Sequence, residues 1–276
     1  MIRILIDSTA DYTNEEVDEK KLMYIPMHIS WDGNEYVDGV TIQRDEFYKK
    51  LEETESFPKT SQPSPQNFVN IFEEIKEAGD TLICILLSSK LSGTYSSACL
   101  AKQIVDYENI YVVDSLTATA GIQLLVRETE NKIQEGWNGQ EIFEHLEQFK
   151  KKVCIFASVD TLEYLKRGGR ISKTVAAIGE IAKVKPLIEV NEEGEIGAIS
   201  KSIGFKKVTA QIVNMLDKRD LSYPLYTVYT NGQKNLKKLE SKIEEKGQIV
   251  DKKIQIGPTI GTHIGSEAFG IVFIRK

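Results

Sequence analysis

Residues 84–98 of the chain read CILLSSKLSGTYSSA. The apolar run from Leu82 to Leu87 predicts a buried strand, and the spacing of the apolar residues after Gly93 predicts a helix that starts near Ser92 or Gly93. A strand followed by a short polar loop and a helix N-terminus leaves unpaired backbone N–H groups at one point, where phosphate or carboxylate can bind. Ser92 alone could merely cap the helix, so the density of hydroxyl groups around Gly93 is what favours an anion site.

The composition is that of an ordinary globular protein. The length of 276 residues predicts about two domains, and 41% hydrophobic with 28% charged residues is enough for a sizeable core. The net charge of −6 argues against a nucleic-acid partner. Because the chain has no apolar run of about 20 residues and no signal-peptide layout, we expect a cytoplasmic protein without an integral membrane segment.

Cysteine and histidine patterns give no sign of a metal site. Cys84, Cys99 and Cys154 lie in apolar surroundings without CxxC spacing, which is typical of reduced core residues. The three histidines are far apart in sequence, so no pair has the spacing of metal ligands. We therefore expect neither a metal nor another cofactor.

Strand and helix patterns alternate through the first half of the chain, which predicts an α/β fold with a mostly parallel sheet covered by helices on both faces. The second half is less regular and predicts an α+β domain, with domains at residues 1–155 and 156–276. In detail, we expect one strand at residues 24–31, a helix at 41–53 and an irregular loop at 58–65. A helix is expected at 171–182, and a β-hairpin at 186–200 with its turn at 191–194.

Four loops rich in hydroxyl groups follow or adjoin these strands, at residues 7–9, 60–64, 88–94 and 114–117. In a parallel sheet, ligands collect beyond the carboxyl ends of the strands. We therefore expect the four loops to face one crevice and to form an anion site there.

Two further stretches are candidates. Arg167-Gly168-Gly169-Arg170, beside Lys166 and Lys173, is either a phosphate clamp, a docking surface for an acidic partner or a solvated helix end. His263 lies among small residues at 261–265, and such a histidine is as often structural as functional.

Familiar enzyme motifs are absent from the sequence: it has no G-x-S-x-G elbow, phosphate-binding P-loop, G-x-G-x-x-G or H-E-x-x-H. A stand-alone hydrolase or acyl-transfer enzyme that uses Ser92 and His263, with Asp7 or Asp114, is the alternative to a binding function.

Taken together, six motifs resemble those of the DegV family in order and spacing along the whole chain. They are Asp7-Ser8-Thr9-Ala10-Asp11, Thr60-Ser61-Gln62-Pro63-Ser64, Leu91-Ser92-Gly93-Thr94-Tyr95, Asp114-Ser115, Arg167-Gly168-Gly169-Arg170-Ile171 and His263-Ile264-Gly265.

The resemblance implies two α/β domains with a long-chain fatty acid between them. It implies a non-catalytic subunit of a bacterial fatty acid kinase, in which a separate subunit of the dihydroxyacetone-kinase type uses ATP to convert the bound carboxylate to an acyl phosphate for phospholipid metabolism. The carboxylate would be held by Thr60, Ser61, Ser92, Gly93, Thr94 and His263. Arg167 and Arg170 would face the kinase.

The sequence departs from the family pattern at two places. Ile203 stands where many members have an arginine, so one implied partner contact has no counterpart here. His263-Ile264 is followed by Gly265-Ser266-Glu267 instead of Gly-Pro-Gly, which places a carboxylate near the predicted anion site.

Overall fold

A computed structural model describes residues 1–171 and 184–276. The helix predicted at 171–182 falls almost wholly outside these ranges, as does Lys173. In chain order, the described strands and helices are β1 Ile2–Asp7, α1 Asn14–Lys20, β2 Met23–Ile25, β3 His28–Trp31, β4 Asn34–Val37, α2 Arg44–Glu53, β5 Lys59–Ser61, α3 Pro65–Ala78, β6 Thr81–Leu86, α4 Thr94–Val105, β7 Ile110–Asp114, α5 Ala120–Gln134, α6 Gly139–Phe149, β8 Val153–Ser158, α7 Glu163–Gly168, β9 Val184–Val190, β10 Ile196–Ile203, α8 Phe205–Met215, β11 Tyr226–Tyr229, α9 Lys234–Glu245, β12 Lys252–Gln255, α10 Pro258–Ile264 and β13 Phe269–Ile274.

The first sheet is parallel, with the strand order β2-β1-β6-β7. Alternate residues of a strand point to opposite faces, and here both faces are apolar. Leu5 and Cys84 pack with α3 and α4 on one face, whereas Ile4 and Ile83 pack with α5 and α6 on the other. This confirms the predicted α/β fold, since a parallel sheet must be covered on both sides.

The second sheet has six strands in the order β10-β9-β8-β13-β11-β12, and every neighbouring pair except β11 and β12 is antiparallel. Helices α8 and α9 cover one face. Apolar residues of the other face join α5 and the first sheet in one cluster. The predicted hairpin is present as β9 and β10. Strand β8 begins before residue 155 and belongs to this sheet, while the division at 155 and 156 stays a prediction.

A small third sheet with the order β4-β3-β5 corrects two predictions. The strand expected at 24–31 is two strands in different sheets, because Pro26, which has no N–H to donate, breaks the ladder between them. The loop expected to be irregular at 58–65 contains β5, in which Thr60 pairs with Ile29 of β3. Its prolines flank the pairing residues, so they do not interrupt the ladder.

One of two predicted helix starts differs from expectation. Helix α2 begins at Arg44, since the Thr41 hydroxyl accepts the N–H of Val37 and caps no helix. Helix α4 begins at Thr94, directly after Gly93, as the sequence predicts to within one residue. Across the described residues, no helix is both long enough and apolar enough to span a membrane.

Candidate functional site

A cavity lies between the two large sheets and encloses about 770 Å³ of empty space, including its open mouth. Its wall is mostly apolar: Ile155 and Ala157 come from β8, Ile188 and Val190 from β9, and Ile260 from α10. The wall is therefore suited to contact with an apolar group.

Among the polar side chains of the cavity wall, four come from separate parts of the chain: Thr60, Ser92, Arg170 and His263, which we call the polar cluster. Thr60 Oγ1 and His263 Nε2 are 2.8 Å apart and share a hydrogen bond. Arg170 Nε donates to the carbonyl of Leu91, which places the guanidinium group beside Ser92. The cluster joins strand β5, the loop before α4, the loop after α7 and helix α10 at one point.

His263 lies in the last turn of α10, which follows Gly257 and has Pro258 at its first position. Burial and the neighbouring Arg170 charge lower the pKa of His263 to about 4, so its imidazole is neutral at physiological pH. A neutral imidazole can donate one hydrogen bond. Gly168 lies so close that a Cβ atom there would be 2.2 Å from Nδ1 of His263. This position therefore requires glycine.

The start of helix α4 lies next to the polar cluster. Ser92 Oγ and Thr94 Oγ1 are 2.8 Å apart, and Thr94 is fully buried against the sulfur of Met27. Gln62 closes over Gly93, where a Cβ atom would come within 2.8 Å of its amide nitrogen. Gly93 and Thr94 are therefore not part of the cavity wall but adjoin Ser92, to which Thr94 is hydrogen-bonded. Ser61 is exposed.

The other two hydroxyl-rich loops serve the scaffold. Asp7 is fully buried and accepts the N–H groups of Thr9 and Leu87, while burial raises its pKa. Asp114 accepts the N–H groups of Ser89 and Leu116. Of the four loops expected to face one crevice, those at 60–64 and 88–94 contribute Thr60 and Ser92 to the polar cluster. In the other two loops, the carboxylates of Asp7 and Asp114 accept backbone N–H groups and so hold the loops at the strand ends in place.

Arg167 and Arg170, both predicted to face a partner, have different surroundings. Arg167 is on the surface with 54% of its side chain exposed, paired with Glu163 and stacked 3.9 Å above the ring of Phe57. Arg170 is half-buried in the cavity wall, and burial lowers its pKa. Only Arg167 is presented to the outside, and the partner-binding role of both stays a prediction.

Sequence reasoning missed most of the cavity wall. Residues Ile188, Val190 and Ile196 of the β9–β10 hairpin line it, and their apolar alternation was the available signal. It also missed Asp38 and named Asp11 only within the motif at residues 7–11; both lie buried at the start of α10. Within residues 1–171 and 184–276, no group of three His, Cys, Asp or Glu side chains could hold a metal ion.

Within the described residues, the site lacks the contacts of a catalytic triad. Ser92 pairs with Thr94 and His263 pairs with Thr60, so the serine and the histidine are not hydrogen-bonded to each other. In the described part of the chain, Nδ1 of His263 has no partner, so no carboxylate orients the imidazole.

Comparisons with known proteins agree with this architecture. The model of the DegV family, described as "Uncharacterised protein, DegV family", matches residues 1–276. A DegV domain-containing protein of Caldanaerobacter subterraneus subsp. tengcongensis is 34% identical over 100% of this chain and 99% of its own length. A stearic acid-binding protein from Eubacterium ventriosum superposes with a TM-score of 0.91 at 29% identity, covering 100% of this chain and 99% of that one. A fatty-acid-binding DegV family protein from Thermus thermophilus gives 0.89 at 29% identity with the same coverage. The match of this chain to the family model over its whole length, and the fold that it shares with family members, show that the chain belongs to the DegV family.

Proposed function

We propose that the chain binds a long-chain fatty acid, with the tail in the cavity and the carboxylate at the polar cluster. The observation that carries this proposal is an apolar cavity whose wall contains hydroxyl, imidazole and guanidinium groups gathered at one point. The structural relatives from Eubacterium ventriosum and Thermus thermophilus, described as binding stearic acid and fatty acid, support the same ligand class.

The apolar wall favours a tail of this kind energetically. About 16 carbons at ~0.8 kcal/mol each give a gross transfer gain near 12 kcal/mol. Loss of translational freedom and ordering of the chain offset a large part of this gain, yet submicromolar binding remains reasonable.

The carboxylate needs hydrogen-bond donors, because an unpaired buried charge would cancel much of the gain from the tail. Thr60, Ser92 and His263 each carry a donor in the cavity wall. The N-terminus of α4, which begins directly after Gly93 and Ser92, adds a favourable dipole. Arg170 beside Ser92 supplies positive charge on the ligand side.

We further propose that the bound carboxylate is presented to a separate ATP-dependent kinase of the dihydroxyacetone-kinase type, which converts it to an acyl phosphate in the cytoplasm. The chain itself carries no catalytic residue in this scheme. Arg167 supports the proposal because it is exposed and stacks on Phe57, three residues before Thr60. A partner that pairs with Arg167 would therefore sit close to the polar cluster.

The alternative of a stand-alone hydrolase is not favoured by the geometry. Its nucleophile Ser92 and its base His263 are engaged with Thr94 and Thr60 instead of with each other.

The test of ligand binding is displacement of a fluorescent fatty acid by stearate, measured on the delipidated protein. Ala118→Phe places a bulky side chain on the cavity wall and should reduce stearate affinity strongly. The matched variant Ala78→Phe, at an exposed helix end, should bind like the wild type. Equal binding by both variants would place the tail elsewhere.

A further inference from the structure

Helix α10, which carries His263, is held at its start by two buried carboxyl groups from the first half of the chain. Asp11 Oδ1 accepts the N–H of Gly257 at 2.8 Å, and Asp38 Oδ2 accepts the N–H of Thr259 at 3.3 Å. Each aspartate is only 3% exposed. Both therefore satisfy backbone N–H groups that the first turn of a helix leaves without partners.

Asp38 also connects the start of α10 to the cavity wall. Ser8 donates to Asp38 Oδ2 at 2.9 Å and accepts the N–H of Met27, a residue of the cavity wall. Thr259, whose N–H is bound by Asp38, also lines the cavity. The start of α10 and the tail region thus share one buried hydrogen-bond network.

The backbone conformation and the burial of Asp11 are both energetically unfavourable. Asp11 has φ = 56°, a left-handed conformation that non-glycine residues rarely adopt. Burial raises the pKa of Asp11 to about 7, although Arg44 and the Gly257 N–H oppose this shift. A strained, desolvated acid persists where the surroundings require it, and such positions cluster at functional sites.

We propose that Asp11 and Asp38 are positioning residues: they hold the start of α10 against the first half of the chain and so place His263 beside Thr60. Helix α10 is short, and it rises about 1.5 Å per residue, so four residues separate Thr259 from His263 by about 6 Å along the axis. If the helix start moves because Asp11 or Asp38 is lost, the imidazole should therefore move by a similar distance. This inference rests on the proposed binding of fatty acid at the polar cluster.

Three variants test it, with stearate displacement as the first readout. Asp11→Ala removes the acceptor, leaves the buried Gly257 N–H unpaired and should weaken stearate binding about tenfold. Asp11→Asn keeps an oxygen acceptor of the same size and should restore affinity to within about threefold. Gly257→Ala reaches the same contact from the other side, because its Cβ would lie 2.8 Å from Asp11 Oδ1, and it should resemble Asp11→Ala.

The matched control is Asp80→Ala. Asp80 is also a buried acid, but it accepts from Met1 and Arg3 at the amino ends of β1 and β6 in the first sheet. It should lower stability without changing stearate affinity. The second readout is the ¹⁵N NMR signal of the His263 imidazole, which should move in Asp11→Ala and not in Asp80→Ala. A general loss of stability would not produce that difference.

The outcomes separate the two proposals. Stearate binding and a His263 signal that are the same in Asp11→Ala and Asp80→Ala would overturn the positioning role alone. If Asp11→Ala does not fold, wild-type affinity in Gly257→Ala has the same meaning. A wild-type protein that binds no stearate would overturn the fatty acid proposal, and the positioning role with it.

Discussion

Thr60 and His263 are 203 residues apart in the sequence, yet their side chains share a hydrogen bond of 2.8 Å in the cavity wall. Thr60 lies on β5 of the small sheet, and His263 lies on α10, which follows β12 of the second large sheet. The pair therefore joins distant parts of the chain at the place where we propose that the ligand carboxylate binds.

The first prediction concerns this carboxylate contact. Thr60→Ala and Ser92→Ala should each weaken stearate binding by about 1–3 kcal/mol, because a buried charged acceptor loses a donor. Ser61→Ala is the matched variant, since Ser61 neighbours Thr60 but is exposed, and it should have no effect. The measurement is fluorescence displacement at one pH. Unchanged affinity in both Thr60→Ala and Ser92→Ala would move the head-group site elsewhere.

The second prediction uses the close approach of Gly168 to His263. Gly168→Ala would place a Cβ atom 2.2 Å from Nδ1 and should push the imidazole away from Thr60, which lowers stearate affinity about tenfold. Gly197→Ala meets only ordinary contacts, the nearest at 3.7 Å, and should bind normally. If Gly168→Ala keeps wild-type affinity, the position of the imidazole does not matter for binding.

The strand-loop-helix unit at residues 82–105 and the alternation of the first half could be predicted from the sequence, because strand and helix periods are local properties. The Thr60–His263 pair could not, since no spacing rule connects positions in separate elements. The prediction of one strand at 24–31 was wrong, because it did not take into account that Pro26 has no N–H to donate to a strand ladder. Asp7 and Asp114 resembled site residues in the sequence. Their carboxylates in fact accept backbone N–H groups of the loops, and these contacts are visible only in the structure.

The third prediction is a pH dependence of stability that arises from His263. Its pKa falls from 6.5 to about 4 on folding, so the unfolded chain binds the proton more readily between these values. The stability contribution is therefore present above pH 6.5 and is lost as the pH falls toward 4. Urea unfolding across this range should show that the difference between wild type and His263→Gln shrinks toward low pH. A difference that is constant with pH would contradict the lowered pKa.

The fourth prediction concerns Asp11, whose shift has the opposite sign. Its pKa rises from 3.8 to about 7 on folding, so the folded chain holds the proton between these values. Stability from this group should decrease as the pH rises from about 4 to 7 and then stay constant. Asp11→Asn, which cannot titrate, should lack this decrease in urea unfolding. If the variant shows the same decrease as the wild type, another group is responsible.

The fifth prediction separates ligand binding from the proposed presentation to a kinase. Arg167→Ala should leave stearate affinity intact and sharply reduce acyl phosphate formation with the cognate kinase, since an interfacial arginine can contribute about 2 kcal/mol or more. Added salt should reproduce part of the loss, because electrostatic attraction is screened over ~8–10 Å. Arg127→Ala, an exposed arginine on α5, is the matched control. Should affinity fall as far as turnover does, Arg167 belongs to the ligand site.

Native mass spectrometry of the protein purified from bacteria tests the central claim most directly. We predict that the chain carries one long-chain fatty acid, released on denaturation and identified by its mass, and that the delipidated protein takes up one stearate when it is added. A chain that carries no lipid and takes up no stearate would contradict fatty acid binding.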